Sequence, residues 1–172
     1  MSNEITEKPC RKPNRLKEYD YSLLGAYFVT ICTQNKVCQF GNITDSTIQL
    51  NDAGRMIEKW WLELNHKFDN IQTDEYIVMP NHFHGVIMLM DVSGRGTHAG
   101  VPLQSVIQWF KTMTTNEYIR NVKHNKWTPF VGKLWQRSYY DHIARKEGEL
   151  NLIRQYIIDN PMLWSEDEYN AT

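Results

Sequence analysis

Tyr76-Ile77-Val78-Met79-Pro80-Asn81-His82-Phe83-His84-Gly85-Val86-Ile87-Met88-Leu89 is two apolar runs separated by a Pro-Asn break, with a His-Phe-His triplet opening the second. Both runs have the composition of strands. Side chains alternate across a strand, so His82 and His84 share one face roughly 7 Å apart while Phe83 points the other way, into a core. Two imidazoles held on one rigid strand form half of a metal site. The rest of the chain has to supply a further ligand and a use for the metal.

On either side of this stretch the pattern alternates between strand and helix. Ala26 to Thr33 reads as a strand from its aromatic and β-branched content. Val37 to Phe40 and Thr47 to Leu50, with Gly41-Asn42 and Asp45-Ser46 between them, predict a short hairpin. Asn51 or Asp52 then caps a helix carrying Met56, Ile57, Trp60, Trp61 and Leu64 on one side. Thr73–Met79 and His82–Met90 are the two central strands. The Gly-rich loop from Asp91 to Gly100 lacks the Gly-Lys-Ser/Thr of a phosphate-binding loop. Leu103 to about Val122 is expected to be helical, with Val106, Ile107, Phe110 and Met113 as its apolar face. Leu134–Ile143 is a fourth strand or strand-like segment. Glu147–Asn160 is a last helix, with Leu150, Ile153 and Ile157 inward, and Pro161 ends it. The order β-α-β-β-α-β plus a helix predicts an α+β, ferredoxin-like split βαβ fold. In that fold a four-stranded antiparallel sheet carries helices on one face, with the C-terminal helix added.

The 172 residues suit one domain over 21–164, preceded by a basic arm (1–20) and followed by an acidic tail (165–172). No apolar run is long enough to span a bilayer and the polar N-terminus lacks a signal-peptide core, so a cytoplasmic protein is expected. Cys10, Cys32 and Cys38 have no zinc-type pairing and read as reduced thiols. A net charge of −1 does not advertise a nucleic-acid binder. The distribution is more telling: residues 105–154 hold nine Lys and Arg against four acids, which permits one basic surface on a near-neutral protein. Ordinary solvated helix and loop faces would give the same counts.

Chemistry concentrates on the last helix. Tyr156 and Asn160, four residues apart, project from one side of it. An Asn amide oxygen suits a hard divalent ion beside two imidazoles. A phenol is a weak nucleophile at its usual pKa near 10, and a metal-polarised substrate compensates for that. These parts could cut a phosphodiester by covalent attack. Tyr139 and Tyr140 are rival nucleophiles, but their aromatic run with Trp135 favours packing or base stacking. His142 reads as a hydrogen-bonded structural histidine, and His66, His98 and His124 have no motif around them.

Three segments carry a resemblance: Pro80-Asn81-His82-Phe83-His84, Leu134-Trp135-Gln136-Arg137-Ser138-Tyr139-Tyr140-Asp141-His142, and Tyr156-Ile157-Ile158-Asp159-Asn160-Pro161. Together they resemble the REP-associated tyrosine transposases of the single-tyrosine HUH superfamily. Arg15-Leu16-Lys17-Glu18-Tyr19-Asp20-Tyr21 and Gly25-Ala26-Tyr27-Phe28-Val29-Thr30 look like the same family, so the resemblance runs from about residue 11 to 164. It implies His82 and His84 as metal ligands, Asn160 as third ligand and Tyr156 as nucleophile. Related insertion-sequence transposases usually place Gln where Asn160 stands, and the shorter amide demands a closer helix. The implied cofactor is Mg²⁺ or Mn²⁺. The implied partner is single-stranded or hairpin DNA, bound by a monomer or homodimer, with no membrane. Arg11, Lys12, Arg15, Arg137 and Arg145 are candidate DNA contacts on charge alone. Two other readings compete. The first is a non-catalytic nucleic-acid-binding module of the same fold, against which the intact His82, His84 and Tyr156 weigh, as does the lack of an RNP1-like pattern against an RNA-recognition domain. A hydrolase using activated water would leave Tyr156 idle.

Overall fold

The computed structural model of the protein describes residues 24–91, 100–167 and 169–170. Gly25–Cys32 forms β1. Tyr27, Val29 and Ile31 turn to one face and join the main core, while Ala26 and Phe28 turn to the other and join a smaller cluster. After a short turn, Gly41–Thr44 (β2) and Thr47–Leu50 (β3) pair as a hairpin around Asp45 and Ser46. Its first strand thus lies after the expected Val37–Phe40. The backbone N–H groups of Gln39 and Phe40 are already used, both donating to the Pro80 carbonyl (2.8 and 3.0 Å).

Asp52–Leu62 (α1) is capped by Asn51, whose side-chain oxygen accepts from the Gly54 N–H at 2.9 Å. Leu64–Lys67 (α2) follows, and Met56, Ile57, Trp61 and Leu64 are buried as the periodicity requires. Ile71–Val78 (β4) and His82–Leu89 (β5) are the central pair. Leu103–Asn125 (α3) runs three residues past the expected end and closes on Lys126 in the left-handed region. Its buried stripe continues from Phe110 through Thr114 and Tyr118 instead of Met113, because Trp135 reaches in and donates to the Thr114 hydroxyl at 2.9 Å.

Only Tyr140–Ala144 (β6) of the predicted fourth strand is regular. Leu134–Tyr139 meets the chain just past β1 at a single bridge, Thr33 to Trp135. The Lys111 ammonium takes the carbonyls of Gln136 (2.9 Å) and Ser138 (3.2 Å), which a longer ladder would have needed. Glu147–Asp159 (α4) ends where Pro161 demands.

The sheet order is β4-β5-β1-β6, with every neighbouring pair antiparallel. That is the expected ferredoxin-like arrangement. α1 and α3 cover one face through Ile57, Trp61, Ile107 and Phe110. α4 lies on the other face, where Leu150 and Ile157 pack on Ala26, Phe28 and Val86. Gly85 lets Trp61 press against the centre of the sheet: a Cβ there would sit 2.5 Å from the indole. Among the described residues no helix is long and apolar enough to cross a membrane.

Candidate active site

His82 and His84 point to the α4 face, and both are buried (0% and 1% exposed). Cross-strand register sets their neighbours: Thr30 of β1 pairs with His84, and Cys32 with His82. The two rings lie 4.5 Å apart at 72°. His82 Nδ1 is 2.8 Å from the Asn81 side-chain oxygen. That amide is oriented by its own NH₂, which donates to the carbonyls of Lys36 (3.0 Å) and Tyr169 (2.7 Å). An oxygen acceptor at Nδ1 means that Nδ1 carries the proton, leaving the Nε2 lone pair available. His84 Nδ1 lies 2.8 Å from the Thr30 hydroxyl, which can accept in the same way.

Neither Nε2 atom has a hydrogen-bond partner, and neither does the Oδ1 of Asn160, although all three are buried. Orphaned buried polar atoms carry a cost unless something else satisfies them. Two neutral imidazole nitrogens and an amide oxygen are a fitting donor set for a divalent cation. Among the described residues no three His, Cys, Asp or Glu side chains gather as a metal-holding group. The Asn160 amide oxygen is the third donor that the sequence reading offers. Asn160 is close enough to His82 to favour its charged form, though without a hydrogen bond of normal geometry. Burial outweighs it and holds His82 down at about 3, helped by the Lys36 charge. Burial also holds His84 well below the ordinary histidine range, with His82 adding to the effect. Both rings are thus neutral, the form that binds metal.

α4 brings Tyr156 to the same place. Its ring lies 5.4 Å from that of His84 and 6.0 Å from that of Phe28, and the residue is 41% exposed. The four residues singled out from the sequence, His82, His84, Tyr156 and Asn160, therefore meet within one chain.

The family profile described as transposase IS200-like matches residues 55–160, a span that includes all four of these residues. The chain belongs to the IS200-like transposase family. It is similar to a Haemophilus influenzae protein of uncharacterized activity, 35% identical over 175 aligned residues and 92% of each chain. Among solved structures it resembles a REP-associated tyrosine transposase bound to a REP hairpin. That likeness has a TM-score of 0.59 at 16% identity, over 86% of this chain and 72% of that one, and it shows a shared fold.

Other residues of this IS200-like chain at the site carried weaker signals in the sequence. Asn81 lies in the Pro-Asn break and reads there as a turn former, and Thr30 is reached only through strand register. The C-terminal segment folds back over the imidazoles. The Trp164 ring lies 6.1 Å from that of His82 at 29°, the Tyr169 ring 4.7 Å away, and Asp167 Oδ2 is 3.7 Å from His82 Nε2. Charge counting had marked this segment only as acidic. Of the expected DNA contacts, Arg137 and Arg145 are exposed, and Arg11, Lys12 and Arg15 lie outside the described residues. The exposed His142 pairs with Glu149 at 2.7 Å, Tyr139 is buried and Tyr140 is exposed.

Proposed function

We propose that the protein is a cytoplasmic, metal-dependent single-stranded DNA endonuclease and strand transferase that recognises a REP-like hairpin and cleaves through a 5′-phosphotyrosine intermediate. The observation that carries this reading is the meeting of three orphaned buried donors (His82 Nε2, His84 Nε2 and Asn160 Oδ1) with the partly exposed phenol of Tyr156. His82, His84 and Asn160 would hold Mg²⁺ or Mn²⁺. When bound, that ion supplies Lewis-acid polarisation and orientation of the scissile phosphate.

The chain's own residues do the rest. Asn81 and Thr30 fix the imidazole rings. The seating of α4 holds the Tyr156 oxygen where it can attack phosphorus in line. The O–P bond to tyrosine forms as the bond to the 3′ oxygen breaks; the partly exposed phenol gives its proton to solvent and the departing 3′ oxygen takes one from solvent. Attack by another 3′-OH runs the step backwards and joins strands, with no external energy source. Trp164 and Tyr169 must first move off the imidazoles to admit a phosphate.

The test uses Tyr156→Phe and a hairpin with a single-stranded 5′ flank. The expected result is retained binding, no cleavage and no covalent DNA adduct on denaturing gels. An adduct that survives the substitution removes Tyr156 from the nucleophile's role.

A further inference from the structure

On the opposite side of the sheet from the imidazoles, α3 and the irregular segment leading into β6 enclose two adjoining depressions of about 550 and 400 Å³. Both are lined by Gln108, Lys111, Thr112 and Arg137, so they form one groove. No Asp or Glu lines either part, in a chain with 20 acidic residues. The polar lining is amide, hydroxyl and cation, the set that contacts nucleic-acid phosphates and sugars.

The cations divide into two roles. Lys111 is buried, and its ammonium is spent on the carbonyls of Gln136, Arg137 and Ser138 at 2.9, 3.4 and 3.2 Å. It clamps the wall in place. Arg137 and Lys133 extend from that wall, and among the described residues neither side chain has an ion-pair or hydrogen-bond partner. By contrast Arg55, Lys59, Arg120 and Arg154 all pair with acids.

The groove offers little of what a single strand would need. Of the aromatic residues that line it, Trp135 and Tyr139 are buried in the core and Trp109 and Phe130 are partly buried against it, so none presents an exposed ring for stacking. An exposed ring appears around the sheet edge instead. Tyr140, three residues after Arg137, pairs with Thr30 on the edge strand β6, and Thr30 pairs in turn with His84. Residues opposite one another in an antiparallel ladder share a face, so Tyr140 stands on the imidazole side. It is 46% exposed, and its ring is 6.3 Å from Phe28, which also touches His84 and Tyr156.

We propose that this acid-free groove holds the paired stem of the DNA hairpin by its phosphates, and that Tyr140 stacks on the first unpaired base as the strand turns the β6 edge toward Tyr156. The α3 lining from Gln104 to Ile119 spans about 22 Å, enough for roughly six base pairs. This rests on the functional reading above, in which the substrate is a hairpin.

The test is fluorescence anisotropy of the full chain in chelator, so that no cleavage occurs. The probes are a flanked hairpin, the bare hairpin and an unstructured strand. Arg137→Ala with Lys133→Ala should weaken both hairpins about tenfold or more, whatever the stem sequence. It should also lower the slope of log affinity against log salt by nearly two, while leaving the unstructured strand unchanged. Tyr140→Ala should weaken the flanked hairpin several-fold and spare the bare one. Unchanged hairpin affinity in the double variant overturns the stem assignment. Equal losses on hairpin and unstructured strand also overturn it, since they make the groove a single-strand path. A failure of the functional reading shows separately, as an adduct formed by Tyr156→Phe, and leaves these affinities untouched.

Discussion

The two faces of the sheet are made by the same strands but obey different rules. On the α1 and α3 face Trp61 meets Phe83 at 4.5 Å and Phe110 at 5.5 Å, and Gly85 gives way to seat the indole. That face is closed and mainly apolar; its buried polar groups are few, among them the Trp61 indole nitrogen, Thr114 and Lys111. On the α4 face a handful of apolar side chains surround buried nitrogens and an amide oxygen with no partners. Strand alternation separates them: Phe83 belongs to one face, and His82 and His84 to the other. The helix-packed face can therefore supply the stability that the imidazole face gives up by burying polar groups. Substitutions should sort by face, those on the first costing stability and those on the second costing metal and turnover.

The largest break is Trp61→Ala. Truncating a fully buried Trp should cost about 3–5 kcal/mol, read as a lower urea midpoint. Metal affinity per folded molecule should stay close to wild type. A large loss of affinity in the folded fraction would mean that the faces are coupled.

Acid sharpens the comparison from the other side. The folded state holds His82 neutral down to about 3, while the unfolded chain protonates it near 6.5. The unfolded state therefore binds more protons as pH falls. Stability is complete above about pH 6.5 and declines toward about pH 3, by on the order of a few kcal/mol. Between about pH 6.5 and 5 most carboxylates stay ionised, and Glu58, raised by burial, would add stability as it gains a proton, so a falling urea midpoint there, measured in chelator, reports the buried histidines. His82→Gln should flatten that slope. A slope that persists unchanged would assign the proton uptake elsewhere.

How much of this was legible beforehand follows the same division. Period-two alternation around Phe83 and the helical stripe of Met56, Ile57 and Trp61 reveal the packed face, because burial writes itself into local sequence. His82, His84, Tyr156 and Asn160 were legible as candidates because alternation and an i, i+4 spacing are also local. Thr30 reaches His84 only through register, and Asp167 and Tyr169 reach His82 only because the chain doubles back after Pro161; no short-range pattern encodes either. The length of β6 was misread for a similar reason. Leu134–Tyr139 has strand composition, yet Lys111, some 25 residues earlier, captures its carbonyls.

Asn81→Ala tests the support beneath the metal ligands. Loss of the acceptor at His82 Nδ1 frees the ring to rotate and to change tautomer. Mn²⁺ affinity by calorimetry should fall about 10–100-fold, or roughly 1.4–2.7 kcal/mol. Unchanged affinity would show that packing alone orients His82.

The smallest expected change comes from Arg154→Ala, and it asks what seats α4 over the imidazoles. Arg154 crosses to β4, with Nε donating to Asp74 Oδ1 at 3.1 Å and Nη2 to Oδ2 at 2.5 Å. Asp74 sits where the β4–β5 pairing slips between Thr73 and Tyr76, a bulge that re-aims its side chain. The guanidinium's hydrogen bond holds the Asp74 carboxyl below the usual carboxylate range. The pair is partly exposed, so its removal should cost under about 1 kcal/mol of stability. Tyr156 lies two residues along the same helix, and a small shift of a reacting group costs rate more than binding. Single-turnover cleavage should slow about tenfold while hairpin affinity and the urea midpoint barely move. Arg154→Lys should not restore the rate, because an ammonium cannot reproduce the two-pronged contact. Wild-type cleavage by both variants would leave the apolar seat of Leu150, Ile153 and Ile157, with the Glu149 contacts to His142 and Arg145, to set the distance between phenol and imidazole.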